Sequence, residues 1–164
     1  MTQPVFLRAE WRWLLMLNFE IDSAVLEPLV PRGTELDDWQ GRTLVRLVGF
    51  RFLKTRVRGW MIPGHQDFDE VNLRFYVKRR ADDGWRRGVV FVKEIVPKRA
   101  IAWVARYVYN ENYVRLPMRS SQIIPTGPDE SGAVAYEWRH NGDWLSLNAA
   151  IRGEPESLAA GSEA

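Results

Sequence analysis

The chain has 164 residues, 46% hydrophobic and 27% charged, a composition that excludes intrinsic disorder and predicts one domain burying roughly 70% of its unfolded surface. No stretch reaches the roughly 20 apolar residues of a membrane span, and with no Cys there is no disulfide framework, thiolate nucleophile or Cys-based zinc site. Twenty-three basic and 21 acidic residues leave a formal net charge of +2, so the isoelectric point of 9.1 reflects a shortage of groups titrating between His and Tyr, and is weak evidence for nucleic-acid binding.

Trp11 to Ile21 (WRWLLMLNFEI) is apolar enough for a buried strand, although a short helix fits the same run. Asp22 caps a short helix with Val25, Leu26, Leu29 and Val30 at helical spacing, stopped by Pro31 and Gly33. Glu35 to Trp39, the turn Gln40-Gly41 and Thr43 to Leu53 read as a hairpin, followed by a loop with Gly59, Pro63 and Gly64. Residues 70 to 80 (EVNLRFYVKRR) alternate strictly, with Val71, Leu73, Phe75 and Val77 on one face and Glu70, Asn72, Arg74 and Lys78 on the other. The turn Ala81-Asp82-Asp83-Gly84 returns the chain through Trp85 to Val96 as an antiparallel partner ended by Pro97.

From Lys98 to Tyr109, Ile101, Val104, Ala105 and Val108 repeat at helical spacing and predict a second short helix with Lys98 and Arg99 in its first turn. Strands over Tyr113 to Ile123, Ala133 to Arg139 and Trp144 to Ile151 complete the set, joined at Gly127–Gly132 and at Asn141-Gly142-Asp143. Residues 154 to 164 hold Glu154, Glu156 and Glu163 and no base, an acidic, disordered tail after a single domain over residues 1 to 153. The expected fold is α+β and mostly antiparallel, a cone- or barrel-like sheet with two short helices that closes or stacks to bury its apolar face. The N-terminus has no charged, apolar, small-residue export signal, and a cytoplasmic location is expected.

The stretches LLMLNFEIDSAVLEPLVPRGTELDDWQGR, LVGFRF, FDEVNLRFYVKR, GVVFVKEIVPKRAIAWVAR and YNENYVRLPM resemble the YqjF-like family of uncharacterised bacterial proteins, over most of residues 5 to 150. That family is grouped with the acetoacetate decarboxylase-like superfamily, which implies a cone-like antiparallel barrel around a small-molecule cavity. Two features carry the grouping: a strand followed by Asp22 and a short helix ending near Pro31, and a strand ending in Pro97-Lys98-Arg99. Acetoacetate decarboxylases read Pro-Lys-Lys there, the first lysine forming a Schiff base with a ketone and the second making it reactive. The resemblance therefore implies Lys98 as nucleophile, Arg99 as its cationic neighbour and Glu70 as orienting acid. It also implies further strand sequence after Ala164, so the chain is read as a shortened member or a fragment lacking its C-terminal strands, with an exposed apolar sheet edge or a partner, such as a second copy, covering it.

A Schiff-base amine has to lose its proton, which for a lysine starting at about 10.4 requires an adjacent cation or burial. Arg99 supplies the cation but not the geometry of a second lysine. Glu70, Asn72 and Arg74 place an acid, an amide and a guanidinium on one strand face at two-residue spacing, a cavity lining if that face is enclosed and a solvated surface if it is not. Lys93 is a further candidate ligand contact, although Glu94 beside it points to the opposite face. Lys98 also reads as an exposed charge in a first helical turn, the commoner role for a lysine there.

His65 lies near Asp67, Asp69 and Glu70 but has no second His or helical spacing, so no metal site is expected, and no motif calls for a cofactor. The run Arg74 to Arg99 holds nine bases and three acids among aromatics, but no recognition motif, and nucleic acid is not expected as a partner. The sequence points to a domain binding a small carboxylate or carbonyl compound, either a Schiff-base lyase of the decarboxylase type or a non-catalytic ligand-binding module.

Overall fold

The structure is a computed structural model and describes residues 7–98 and 112–153. Its larger sheet contains β1 (Leu7–Glu20), β3 (Leu44–Val57), β5 (Phe68–Ala81), β6 (Gly84–Val96) and β7 (Tyr113–Arg115) in the order β1-β3-β5-β6-β7. The short strand β2 (Glu35–Leu36) pairs with β5, and β4 (Trp60–Met61) with β3. A second sheet has the order β10-β9-β8, from β8 (Met118–Ile123), β9 (Ser131–His140) and β10 (Asp143–Arg152). All described pairings are antiparallel except that of β6 with β7.

Local chemistry sets the turns. Asn141 (φ 51°) and Gly142 (φ 96°) both take the left-handed conformation that a two-residue hairpin needs, and close β9 onto β10. The helix α1 (Ser23–Leu26) starts where the Asp22 carboxylate accepts from the Ala24 N–H at 3.0 Å, and Pro28 tightens its continuation into a single 3₁₀ turn.

Two expectations need correction. Glu35–Leu36 does not run beside the strand after Gln40-Gly41: only Trp39 and Arg42 bridge there, while β2 pairs with Lys78 and Val77 of β5, beyond the point where β3 begins. Tyr113 to Ile123 is two strands, because Pro117 has no N–H for a ladder and the chain crosses there from the larger sheet to the smaller. Among the described residues the sheet does not close into a barrel; of the two expected ways to bury the apolar face, the sheets stack, and β1 is an edge strand with Leu7, Trp11, Leu14, Leu17 and Phe19 exposed. The second expected helix, Lys98 to Tyr109, lies almost wholly outside the described residues, as does the tail from 154 to 164.

The two faces of the larger sheet are buried differently. Val71 and Ile95 on one face pack against Val134, Tyr136, Trp138 and Leu147 of the smaller sheet, and farther along β5 the same face receives Leu26 of α1 on Phe75 and Val77. Gly49, opposite Val71, lets the sheets approach: a Cβ there would stand 2.5 Å from the Tyr136 ring. The other face holds Val48, Phe50, Phe52, Phe68 and Val96, with Trp11 stacked on Phe50 at 4.8 Å.

Three bulges interrupt the ladders, and each is held by a side chain from elsewhere. Trp13 and Leu14 together oppose Phe50, and the Tyr136 hydroxyl donates to the Trp13 carbonyl at 2.7 Å. Lys54 and Thr55 oppose Ala9, and the Lys54 N–H donates to Asp67 at 2.9 Å. On β6, Val92 is the extra residue, and the Asn112 amide donates to its carbonyl.

Candidate functional site

On the face of Val48 and Phe50, the centre of β5 is polar and yet buried. Glu70 is 2% exposed, Asn72 1% and Glu94 3%. The Asn72 amide donates to Glu70 Oε1 at 3.1 Å, and the Tyr113 hydroxyl of β7 donates to Glu70 Oε2 at 2.9 Å, so each carboxylate oxygen has a donor. Glu94 stands across the ladder from Asn72 on one side and from Tyr113 on the other. Asn72 Oδ1 is buried without a donor. Burial of carboxylates costs stability, and buried acids concentrate where a ligand is handled.

The Val92 bulge determines which β6 side chains join this cluster. From the turn to Phe91, β5 and β6 pair in one register; beyond Val92 the register moves by one residue, so Leu73 faces Lys93 and Asn72 faces Glu94. An uninterrupted ladder would have put Lys93 opposite Asn72. Lys93 is instead exposed, on the face opposite Glu70, and does not join the site; Glu94 takes its place. Sequence alternation identifies Glu70 and Asn72 but misses Glu94 and Tyr113. The spacing of the hairpin turn alone carries no signal for the bulge.

Arg74 shares the face of Asn72, half-buried. Lys98 is half-buried and follows Glu94 and Val96 just past the end of β6, where the Leu116 N–H donates to the Val96 carbonyl at 3.2 Å. Arg99 lies outside the described residues. His65 sits in a loop with Nδ1 3.0 Å from the Pro63 carbonyl, which makes that nitrogen its N–H donor. Among the described residues no three His, Cys, Asp or Glu side chains gather as a metal site, and no helix is long and apolar enough to cross a membrane.

Farther along the same face the sheet opens into a cleft of about 790 Å³, lined by residues that include Asn18, Glu20, Asp37, Arg46 and Tyr76. On the opposite face, Asp69 is enclosed between the sheets. Burial pushes its carboxyl above the usual range, against the Ser120 hydrogen bond and Arg51, whose guanidinium is 3.8 Å away, too far for a hydrogen bond. Burial and the nearby Asp69 charge push the Tyr136 phenol up as well.

Residues 8–164 match the family DUF2071, described as an uncharacterized conserved protein. The chain belongs to this family. A relative described as uncharacterized protein YqjF, from Bacillus subtilis (strain 168), is 28% identical over 117 residues, 71% of this chain and 47% of its own length. Solved structures share the fold at 11–16% identity. Acetoacetate decarboxylase from Legionella pneumophila superposes at a TM-score of 0.61, covering 86% of this chain and 48% of that one at 12% identity. The enduracididine biosynthesis enzyme MppR, solved in complex with pyruvate, superposes at 0.67, covering 98% and 62% at 12% identity. An acetoacetate decarboxylase-like enzyme from Sphingomonas wittichii RW1 reaches 0.64, covering 87% and 56% at 16% identity. The chain thus has the acetoacetate decarboxylase-like fold and spans about half the length of the curated relative it matches.

Proposed function

We propose that this chain binds a small carbonyl- or carboxylate-bearing molecule on the sheet face of Glu70, Asn72 and Glu94, and that Lys98 forms a Schiff base with the carbonyl. The observation that carries the reading is the buried Glu70 carboxylate, fixed on both oxygens by Asn72 and Tyr113 and located on the strand next to the one that leads into Lys98. A fold shared with decarboxylases and with an enzyme that holds pyruvate, a small 2-oxo acid, supports this ligand class.

In the reaction, the neutral Lys98 amine adds to the carbonyl carbon, and loss of water leaves an iminium. Arg99 follows Lys98 directly in the sequence, where the resemblance implies a cationic neighbour for the reactive amine. Glu70 orients the iminium, Arg74 pairs with a substrate carboxylate, and Asn72 Oδ1 accepts a hydroxyl from the ligand. We place this chemistry in the cytoplasm, in keeping with a chain that has no Cys.

Incubation with pyruvate and acetoacetate followed by borohydride reduction tests the proposal. Hydride transfer to the iminium fixes the adduct as a secondary amine, expected on Lys98 by mass spectrometry and absent from Lys98→Met. A parent chain that binds these acids but yields no adduct refutes the Schiff base and leaves a ligand-binding module.

A further inference from the structure

The cleft next to the buried acids has an electrostatic imbalance of its own. Arg46 and Arg74 are direct cross-strand partners on β3 and β5, where like charges repel. Both are drawn to one ring: the Arg46 guanidinium lies 4.2 Å from the centre of Tyr76 and that of Arg74 5.8 Å from it. Among the described residues neither forms an ion pair, and the Nε of each is buried with no acceptor.

The acids lining the cleft are already engaged. Asp37 pairs with Arg87 at 3.0 Å, Glu20 with Arg42 at 3.9 Å, and Asp38 accepts from the Thr43 hydroxyl at 2.6 Å. Two juxtaposed guanidinium groups with unmet N–H donors, one of them lining a cavity of small-molecule size, remain without a counter-charge.

We propose that Arg46 and Arg74 form an anion clamp at the cleft, with Tyr76 as the platform that aligns their guanidinium planes, and that the clamp takes the carboxylate or phosphate group of a small molecule. An oxyanion supplies the acceptors that both Nε–H groups lack and cancels the repulsion across the ladder. The clamp deepens the role proposed above for Arg74 and rests on that reading; anion binding and the Lys98 adduct are measured separately, so failure of one is distinguishable from failure of the other.

The test is a titration of the full chain with inorganic phosphate and, in parallel, with succinate at constant ionic strength. It follows the arginine Nε–H resonances by NMR and the affinity by calorimetry. A saturable shift of the Arg46 and Arg74 resonances is expected with at least one of the two; a phosphate-only response assigns a phosphate ester and a succinate-only response a carboxylate. Arg46→Gln and Arg74→Gln each weaken binding by about tenfold or more, without lowering the melting temperature of the unliganded chain, since each relieves a like-charge pair. Arg86→Gln, at an exposed arginine paired with Asp83 and outside the cleft lining, leaves the affinity nearly unchanged. No saturable shift with either anion, or Gln variants that bind as the parent does, overturns the clamp and leaves two arginines stacked on Tyr76 for packing alone.

Discussion

Replacing Gly49 with alanine tests how the two sheets are held together. A Cβ at this position would lie 2.5 Å from Tyr136 Cδ2, 3.0 Å from its Cγ and 3.1 Å from Leu147 Cδ2, and both neighbours are fully buried. Carbon atoms rest at about 3.5–4.0 Å, so the ring has to retreat by about 1 Å. That movement also strains the bond from the Tyr136 hydroxyl to the Trp13 carbonyl, which holds the β1 bulge. Overpacking costs about 1–3 kcal/mol and a weakened hydrogen bond about 1 kcal/mol, while alanine regains about 0.5–1 kcal/mol of backbone entropy. The expected net loss is about 1–3 kcal/mol, seen as a lower urea midpoint with an unchanged slope. In the double variant Gly49→Ala/Tyr136→Ala the ring is gone, and alanine at 49 should add little to the cost of Tyr136→Ala alone. A Gly49→Ala chain as stable as the parent, or strict additivity in the double variant, refutes close sheet approach at Gly49.

Three further outcomes are expected. Asn112→Ala removes the donor to the Val92 carbonyl and should cost about 1 kcal/mol in urea denaturation, with faster amide exchange confined to β6 around the bulge; uniform exchange across the sheet would contradict a local clamp. Asp69 has a carboxyl raised by burial, so its contribution is present below the ordinary aspartate range and lost as pH rises through the raised value; melting curves of Asp69→Asn should gain on the parent as pH increases across that window, and parallel curves would contradict this. Glu70→Gln should keep the chain folded, exchanging a buried charge for an amide, and lower the yield of borohydride-trapped adduct at least about tenfold; an unchanged yield removes Glu70 from the chemistry.

The parts of the fold that were legible in the sequence are those set by local chemistry. Strict alternation over residues 70 to 80 and the Ala81–Gly84 turn identify the β5–β6 hairpin, and Asn141-Gly142 identifies the β9–β10 turn. Alternation also assigns Glu70, Asn72 and Arg74 to one face. It does not reveal that this face is enclosed, because β5 lies between β3 and β6 with both of its faces covered, and a buried polar face has the same pattern as a wet one. The partner of Glu35–Leu36 is illegible for a different reason: a two-residue strand has no periodicity, and its pairing with β5 depends on where β3 begins. Tyr113 escapes notice because it reaches Glu70 through a parallel pairing with β6 that no hairpin signal announces.

The Val92 bulge shows how one residue decides the character of the site. Without it, Lys93 would stand across from Asn72, two residues along the strand from Glu70, and a lysine within reach of that carboxylate would neutralise the cluster. The inserted residue turns Lys93 outward to solvent and brings Glu94 onto the face of Glu70 and Asn72. Two carboxylates on diagonal ladder positions, with Cα atoms about 7–8 Å apart, disfavour one another, and a protein that buries them gives up stability for the arrangement. In the reaction proposed above, the Glu70 carboxylate stands beside the developing iminium, and Arg74 of the same strand, with Arg46 across the ladder, takes the substrate's anion. The bulge therefore decides that Glu94 and not Lys93 shares the face of Glu70, and Asn112, by donating to the Val92 carbonyl, holds that register.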